Sequence, residues 1–336
     1  RNASPFSYVG CLNTVLLAEV CYELNDTAQA EALLAEHFEY IDNQSVVDIA
    51  YTGYRVMAKL QFAHENLEAG LKLIRLGKES AARAELPRLS AMLSALEIRS
   101  LLLAGKDTEA QQLANENGFN EPEDALLLQR ASPVVRELHK EIQAELYLSK
   151  KLPKRAIPLL DSLVASAEET ARQRRLVDVL LLRARAYHAS HKPDEALADL
   201  ERAIVIAAGG GLCRFIDAGE EVRQLLAIIT KQRSGKQSEF PIAFLGEINA
   251  ILLNKIKNRN LNNDDEAPSA GLIEKLTKRE RQILDTIVTG ETNKEIAEKL
   301  FISDQTVKWH LHQLYQKLGV KNRTSAIAKA QALSLV

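Results

Sequence analysis

Little in this chain invites covalent chemistry. It holds three cysteines, two methionines and one tryptophan in 336 residues, and aromatics make up only 5%. Cys11, Cys21 and Cys213 are odd in number and far apart, which argues against a disulfide framework or a cysteine zinc site and fits reduced thiols. No apolar run reaches the roughly 18 residues a membrane helix needs; even Ile242 to Leu253 is broken by Gly246, Glu247 and Asn249. No secretory leader is legible, so no membrane and a cytoplasmic location are expected. The chain opens on Arg1, not Met, as a fragment of a longer protein would.

The usual catalytic signals are missing too. The glycines of "AAGGGLCRFIDAGEEVRQLL" lack the Gly-Lys-Ser/Thr ending of a phosphate loop and no strand precedes them, so they read as a helix stop. His310 and His312 share a helix but point about 200° apart, so they do not chelate; His188 and His191 straddle a helix end. No nucleophile stands beside a base in a supporting context. The chain reads as a non-enzyme with no cofactor and no metal. A nucleotide-dependent switch would need a P-loop that is not here.

What the chain does have is alanine, leucine and helical periodicity, which with 46% apolar residues points to a large all-α core. Its length suggests more than one domain. Four passages share one plan, a helix ending in a bulky residue, a polar turn, then a helix opening around alanine: "CYELNDTAQAEALL", "LLLAGKDTEAQQLA", "LYLSKKLPKRAIPLL" and "YHASHKPDEALADL". With a weaker copy, "FAHENLEAGLKL", the shared alanines are Ala30, Ala69, Ala110, Ala156 and Ala196, at intervals of 39, 41, 46 and 40 residues. A helical hairpin of that size cannot bury its own stripe, so neighbours stack, with small residues at the closest approach. Pro153 and Pro193 fall near helix starts, where a missing N–H costs least. Tyr22, Tyr51, Tyr54, Tyr147 and Tyr187 read as core or turn residues of the repeats. The pattern resembles a tetratricopeptide-like superhelix, with a period longer than usual.

Charge separates the rest. From Leu272 onward there are 11 Lys/Arg against 7 Asp/Glu, a net of +4 in a chain of −2 overall. Residues 258–271, "NRNLNNDDEAPSAG", have the composition of a linker. The expected organisation is a helical-repeat sensor over 1–257, a flexible linker over 258–271, and a small four-helix domain over 272–336. In that domain Thr277/Glu280 and Thr292/Glu295 are capping boxes. Helices are expected to stop at Gly290 and Gly319, Ser303 to cap the third, and a fourth to run from about Thr324 to Leu333. This is a helix-turn-helix plan.

In the third helix Val307, Leu311, Leu314 and Leu318 fall in one arc at about 100° per residue. Gln305, Lys308, Trp309, His312 and Gln316 fall on the other side. In a helix-turn-helix that outward side enters the major groove. Lys308 is a donor for guanine, His312 meets a base edge or phosphate, Trp309 offers apolar area for a thymine methyl or sugar, and Gln305 joins the same face. Thr306 and Asn293 lie near helix N-termini and, with Lys294, Lys321 and Arg323, suit phosphate.

The pieces Leu276-Thr277-x-Arg279-Glu280, Asn293-Lys294-Glu295-Ile296-Ala297, Thr306-Val307-Lys308-x-His310 and Lys317-Leu318-Gly319-Val320 resemble the LuxR/NarL-type DNA-binding domain. The resemblance implies base reading by Lys308, Trp309 and His312, the last standing where relatives often carry Lys. It also implies pairing of two domains through Ile327, Ala330 and Leu333. Joined to repeats, the whole chain resembles the C-terminal part of the large MalT-like activators, whose relatives carry an upstream ATP-binding switch. That resemblance implies double-stranded DNA, self-association, RNA polymerase, and an inducer or regulatory protein on the repeats as partners. The alternative is a protein-interaction scaffold with an accessory DNA-binding domain.

Overall fold

The computed structural model describes residues 8–42, 46–120, 132–212, 217–233, 240–264, 276, 278–300, 304–320, 322–333 and 335. Among these the regular structure is helical throughout and no strand is present. The chain divides into two compact units, one of Arg1–Ala30 with Glu39–Leu252, the other of Glu31–Phe38 with Leu253–Val336.

The first part of the chain runs through α1 (Tyr8–Glu23), α2 (Thr27–Asp42), α3 (Val47–Ala63), α4 (Leu67–Arg83), α5 (Pro87–Leu103) and α6 (Asp107–Glu116). It continues with α7 (Pro133–Ser149), α8 (Pro153–Glu169), α9 (Gln173–Ala189), α10 (Pro193–Gly210), α11 (Glu220–Arg233) and α12 (Ile242–Asp264). Six of these, α3, α4, α5, α7, α8 and α9, hold 17 residues each. Each is joined to the next helix by a three-residue turn, so helix starts recur every 20 residues and hairpins every 40.

One local device makes every such turn. Its middle residue is left-handed: Asn25 (φ 64°), Glu65 (62°), Glu85 (54°), Gly105 (74°), Lys151 (57°), Ala171 (51°) and His191 (58°). The next residue donates its N–H to the carbonyl five positions back, as Asp26 does to Cys21 and Leu152 to Tyr147 at 2.8 Å, and Leu86 to Ala81 at 2.9 Å. This Schellman closure satisfies carbonyls that the helix end leaves open. The following helix then starts at once. Asp26 caps Gln29 (3.1 Å), Asn66 caps Ala69 (3.0 Å), and Pro87, Pro153 and Pro193 occupy first positions where no N–H is needed. The glycine run closes α10 in the same way, with Gly211 at φ 67° and Leu212 N–H on Ala207.

Four of the five expected small residues, Ala30, Ala110, Ala156 and Ala196, are fully buried at the fourth position of their helices. The fifth is a correction. In α4 that position is Gly70, not Ala69, which is half-buried one place earlier. A methyl on Gly70 would lie 2.1 Å from Phe62 Cε1, so the ring of α3 fills the space that alanine takes elsewhere. Tyr22 and Tyr54 are buried, as core tyrosines should be. Tyr51, Tyr147 and Tyr187 are half-buried beneath Arg55, Arg155 and Arg183 at 5.6–6.0 Å.

The first helices of successive hairpins pack in a row, α1 on α3, α3 on α5, α5 on α7 and α7 on α9. The row curls until its ends meet. Tyr22 of α1 donates to Asp217 at 3.0 Å, and Arg174 of α9 pairs with Glu23 of α1 at 2.6 Å. The linker expectation needs amending, because α12 continues as helix to Asp264 and so includes 258–264. Residues 265–271 lie outside the described residues.

Candidate nucleic-acid interface

The C-terminal unit contains α13 (Lys278–Val288), α14 (Asn293–Leu300), α15 (Asp304–Leu318) and α16 (Arg323–Ala332). Its core is Ile283, Leu284 and Ile287 from α13, Ile296 and Ala297 from α14, Val307, Leu311, Leu314 and Leu318 from α15, and Ala326 and Ala330 from α16. The four α15 residues are the expected apolar arc, all buried, so that stripe anchors the helix.

The helix ends are built as expected where they are described. Thr292 N–H donates to Glu295 Oε2 at 2.6 Å and Glu295 N–H returns to Thr292 Oγ1 at 3.3 Å, a reciprocal capping box. The N–H of Thr292, then its hydroxyl, hold the Glu295 carboxyl below its ordinary value. Gly290 (φ 88°) and Gly319 (φ 66°) close α13 and α15, and Asn322 caps α16 through Ser325 N–H at 2.8 Å. Thr277, Phe301, Ile302 and Ser303 lie outside the described residues.

Glu280 does something the capping pattern did not foretell. Its Oε2 accepts from Lys317 Nζ at 2.9 Å, with both side chains only 5% exposed. This buried pair ties the start of α13 to the end of α15, the helix that carries the outward face. At about 100° per residue Lys317 falls outside the arc of Val307, Leu311, Leu314 and Leu318, so the helical pattern carried no signal of this pair.

On the outward side, Lys308 is exposed one residue beyond the buried Val307. Gln305, Thr306, Trp309 and His312 belong to α15 by backbone, while their side chains lie outside the described residues, as does Lys321. At the start of α14, Lys294 is exposed and Asn293 half-buried. Arg323 is placed differently from the expectation. Its guanidinium donates to the carbonyls of Glu291 and of Ile287 (3.3 Å), clasping α16 to the end of α13, where open carbonyls and the helix dipole favour a cation. Ala330 is also placed differently. It is fully buried inside its own domain, where no second copy can touch it, because α16 packs its small residues against α13 and α15. Ile327 and Leu333 are half-buried at the edge of that core.

Two family models match. One, described as bacterial regulatory proteins of the luxR family, covers residues 274–330; the other, described as the MalT-like TPR region, covers 3–232. The chain therefore belongs to the MalT-like TPR family and carries with it a LuxR-type DNA-binding domain. Among curated proteins it is similar to the HTH-type transcriptional regulator AlkS of Ectopseudomonas oleovorans, 22% identical over 322 residues, which are 95% of this chain and 34% of AlkS. It thus spans about a third of that relative's length. No solved structure matches.

Proposed function

We propose that this chain senses a signal on its repeats and reads operator DNA with α15, as part of a transcriptional activator working in the bacterial cytoplasm. The observation that carries this reading is the two-sided build of α15, with Val307, Leu311, Leu314 and Leu318 buried and Lys308 exposed behind them. Among the described residues no helix is long and apolar enough to cross a membrane, and no group of His, Cys, Asp and Glu could hold a metal ion.

In this reading Lys308, Trp309, His312 and Gln305 meet bases, and Asn293, Lys294, Thr306 and Lys321 meet phosphates. Arg323 supports the domain from within. The sensor comprises 1–257, the reader 272–336, and 258–271 joins them. A single reader with a few base contacts binds weakly; signal-driven self-association brings several onto repeated half-sites and multiplies the effective affinity. RNA polymerase is then the partner recruited.

The test is a fluorescence-anisotropy titration with DNA selected against the chain. Lys308→Ala should weaken binding by about 1–3 kcal/mol and relax preference at one base position, and Trp309→Ala should weaken it as well. Lys294→Ala should weaken binding to all sequences alike and flatten the salt dependence. Unchanged binding by both α15 variants would dismiss the interface and leave the scaffold reading.

A further inference from the structure

The inner row of the repeats is lined by matched charges. Arg55 of α3 pairs with Glu19 of α1, and Arg174 of α9 with Glu23 of α1. Arg99 of α5 pairs with Glu141 (2.7 Å) and Glu145 (3.0 Å) of α7, and Arg175 of α9 with Glu141. Arg185 reaches Glu221 of α11 at 3.4 Å. So many ions in one interior are costly unless each has a partner.

Lys59, one turn beyond Arg55 on α3, breaks the pattern. Among the described residues it forms no ion pair, and its ammonium rests 5.6 Å from the centroid of the Tyr22 ring. The charges around it are Arg55 on its own helix, Glu23 on α1, and Arg174 and Asp178 on α9. Three atoms in that group, Arg55 Nε, Arg174 Nε and Glu23 Oε2, are buried with no hydrogen-bond partner. A cation without an ion pair thus has two donors and an acceptor without hydrogen-bond partners among the charges around it, and buried polar groups left so call for an explanation.

We propose that this cluster is the ligand seat of the sensor, and that it takes a small monocarboxylate with a hydrogen-bond donor beside the carboxylate, a hydroxy acid or an amino acid. This rests on the reading of the repeats as signal-receiving. The carboxylate meets Lys59 and Arg55 Nε, and the adjacent hydroxyl or ammonium donates to Glu23 Oε2. Charge disfavours a dianion. Arg55, Lys59 and Arg174 already balance Glu19, Glu23 and Asp178, so a phosphate dianion would leave two uncompensated negative charges in a poorly solvated interior, a hydroxy-acid carboxylate one and a zwitterionic amino acid none.

Burial first, then the Arg55 guanidinium, push the Lys59 ammonium down to about 8, with Arg174 acting the same way and Glu23 and Asp178 opposing. Burial pulls Arg55 down, but Glu19 and Tyr51 together outweigh it; at Arg174, Asp178, Glu23 and Glu19 outweigh burial; Asp178 is held below its ordinary value against burial, by Arg174 first, then Lys59. An anion that needs protonated Lys59 must then bind more weakly as pH rises past about 8.

The test is calorimetric titration of the full chain with sodium lactate, alanine, inorganic phosphate and glucose at pH 7 and pH 9. Lactate or alanine should bind, about tenfold more weakly at pH 9. Lys59→Met should abolish binding while keeping the folded circular-dichroism spectrum, and Lys59→Arg should bind without the loss at pH 9. If Lys59→Met fails to fold, the Lys59→Arg comparison decides alone. Binding only of glucose or phosphate overturns the ligand class while a sensor remains. Binding of no probe, or undiminished binding by Lys59→Met, overturns the seat. The DNA titration of Lys308→Ala is indifferent to all of these outcomes, so the two readings fail separately.

Discussion

Replacing Lys317 by Met would take the ammonium away from the buried Glu280 carboxylate while keeping most of the lysine stem's packing. The two side chains are 2.9 Å apart and each is 5% exposed. Breaking such a pair from one side costs roughly 3–5 kcal/mol, because the desolvated charge left behind is uncompensated. The four-helix domain of about 60 residues, at roughly 0.05–0.15 kcal/mol per residue, has only about 3–9 kcal/mol in hand. The substitution should therefore remove a third or more of the domain's stability. Urea unfolding followed by tryptophan fluorescence measures it cleanly, because Trp309 is the chain's only tryptophan and lies in this unit. The double variant Glu280→Gln/Lys317→Met should recover most of the loss, since neither charge is then stranded. A loss below about 1 kcal/mol, the size of a surface pair, would refute the argument.

Gly70→Ala should destabilise the repeats by about 1–3 kcal/mol despite alanine's better helix propensity, and Phe62→Leu in the same chain should relieve it; the urea midpoint decides. Ala171→Gly should stabilise by up to about 1 kcal/mol, because the left-handed backbone strains a Cβ and glycine removes that strain at some cost in unfolded-state entropy. Ala171→Val should destabilise, and a reversed order in melting temperature would count against the turn device. Lys59 sits at about 8 when folded against 10.5 otherwise, so between those values the unfolded chain holds a proton that the folded chain has lost. Wild-type stability relative to Lys59→Met should accordingly rise as pH climbs from about 8 towards 10.5; a flat difference would show that Lys59 is well solvated.

Much of the architecture was legible because it is written in local periods. The stripe of α15 repeats with the helical turn, so Val307, Leu311, Leu314 and Leu318 declared the buried side and Lys308 the open one. The 40-residue recurrence of small residues announced stacked hairpins. The register of the weakest copy was misread by one position because Ala69 and Gly70 are both small, and the difference lies in where Phe62 points. The turns were hidden for a related reason. Glu65, Glu85, Lys151, Ala171 and His191 take the left-handed backbone without being glycine or asparagine, the residues whose presence usually signals it.

Sequence alone determined the helical class, the repeat length, the capping of α14 and the two-sidedness of α15, since each depends on neighbours within a turn or two. Only the tertiary structure decided which charges meet. Glu280 with Lys317, Arg323 with the carbonyls of α13, Ala330 inside its own core, and Lys59 left without a carboxylate are all outcomes of packing between distant segments. A charged residue looks the same in sequence whether it faces water or a partner. Burial is what separates the two, and burial is a property of the assembled fold.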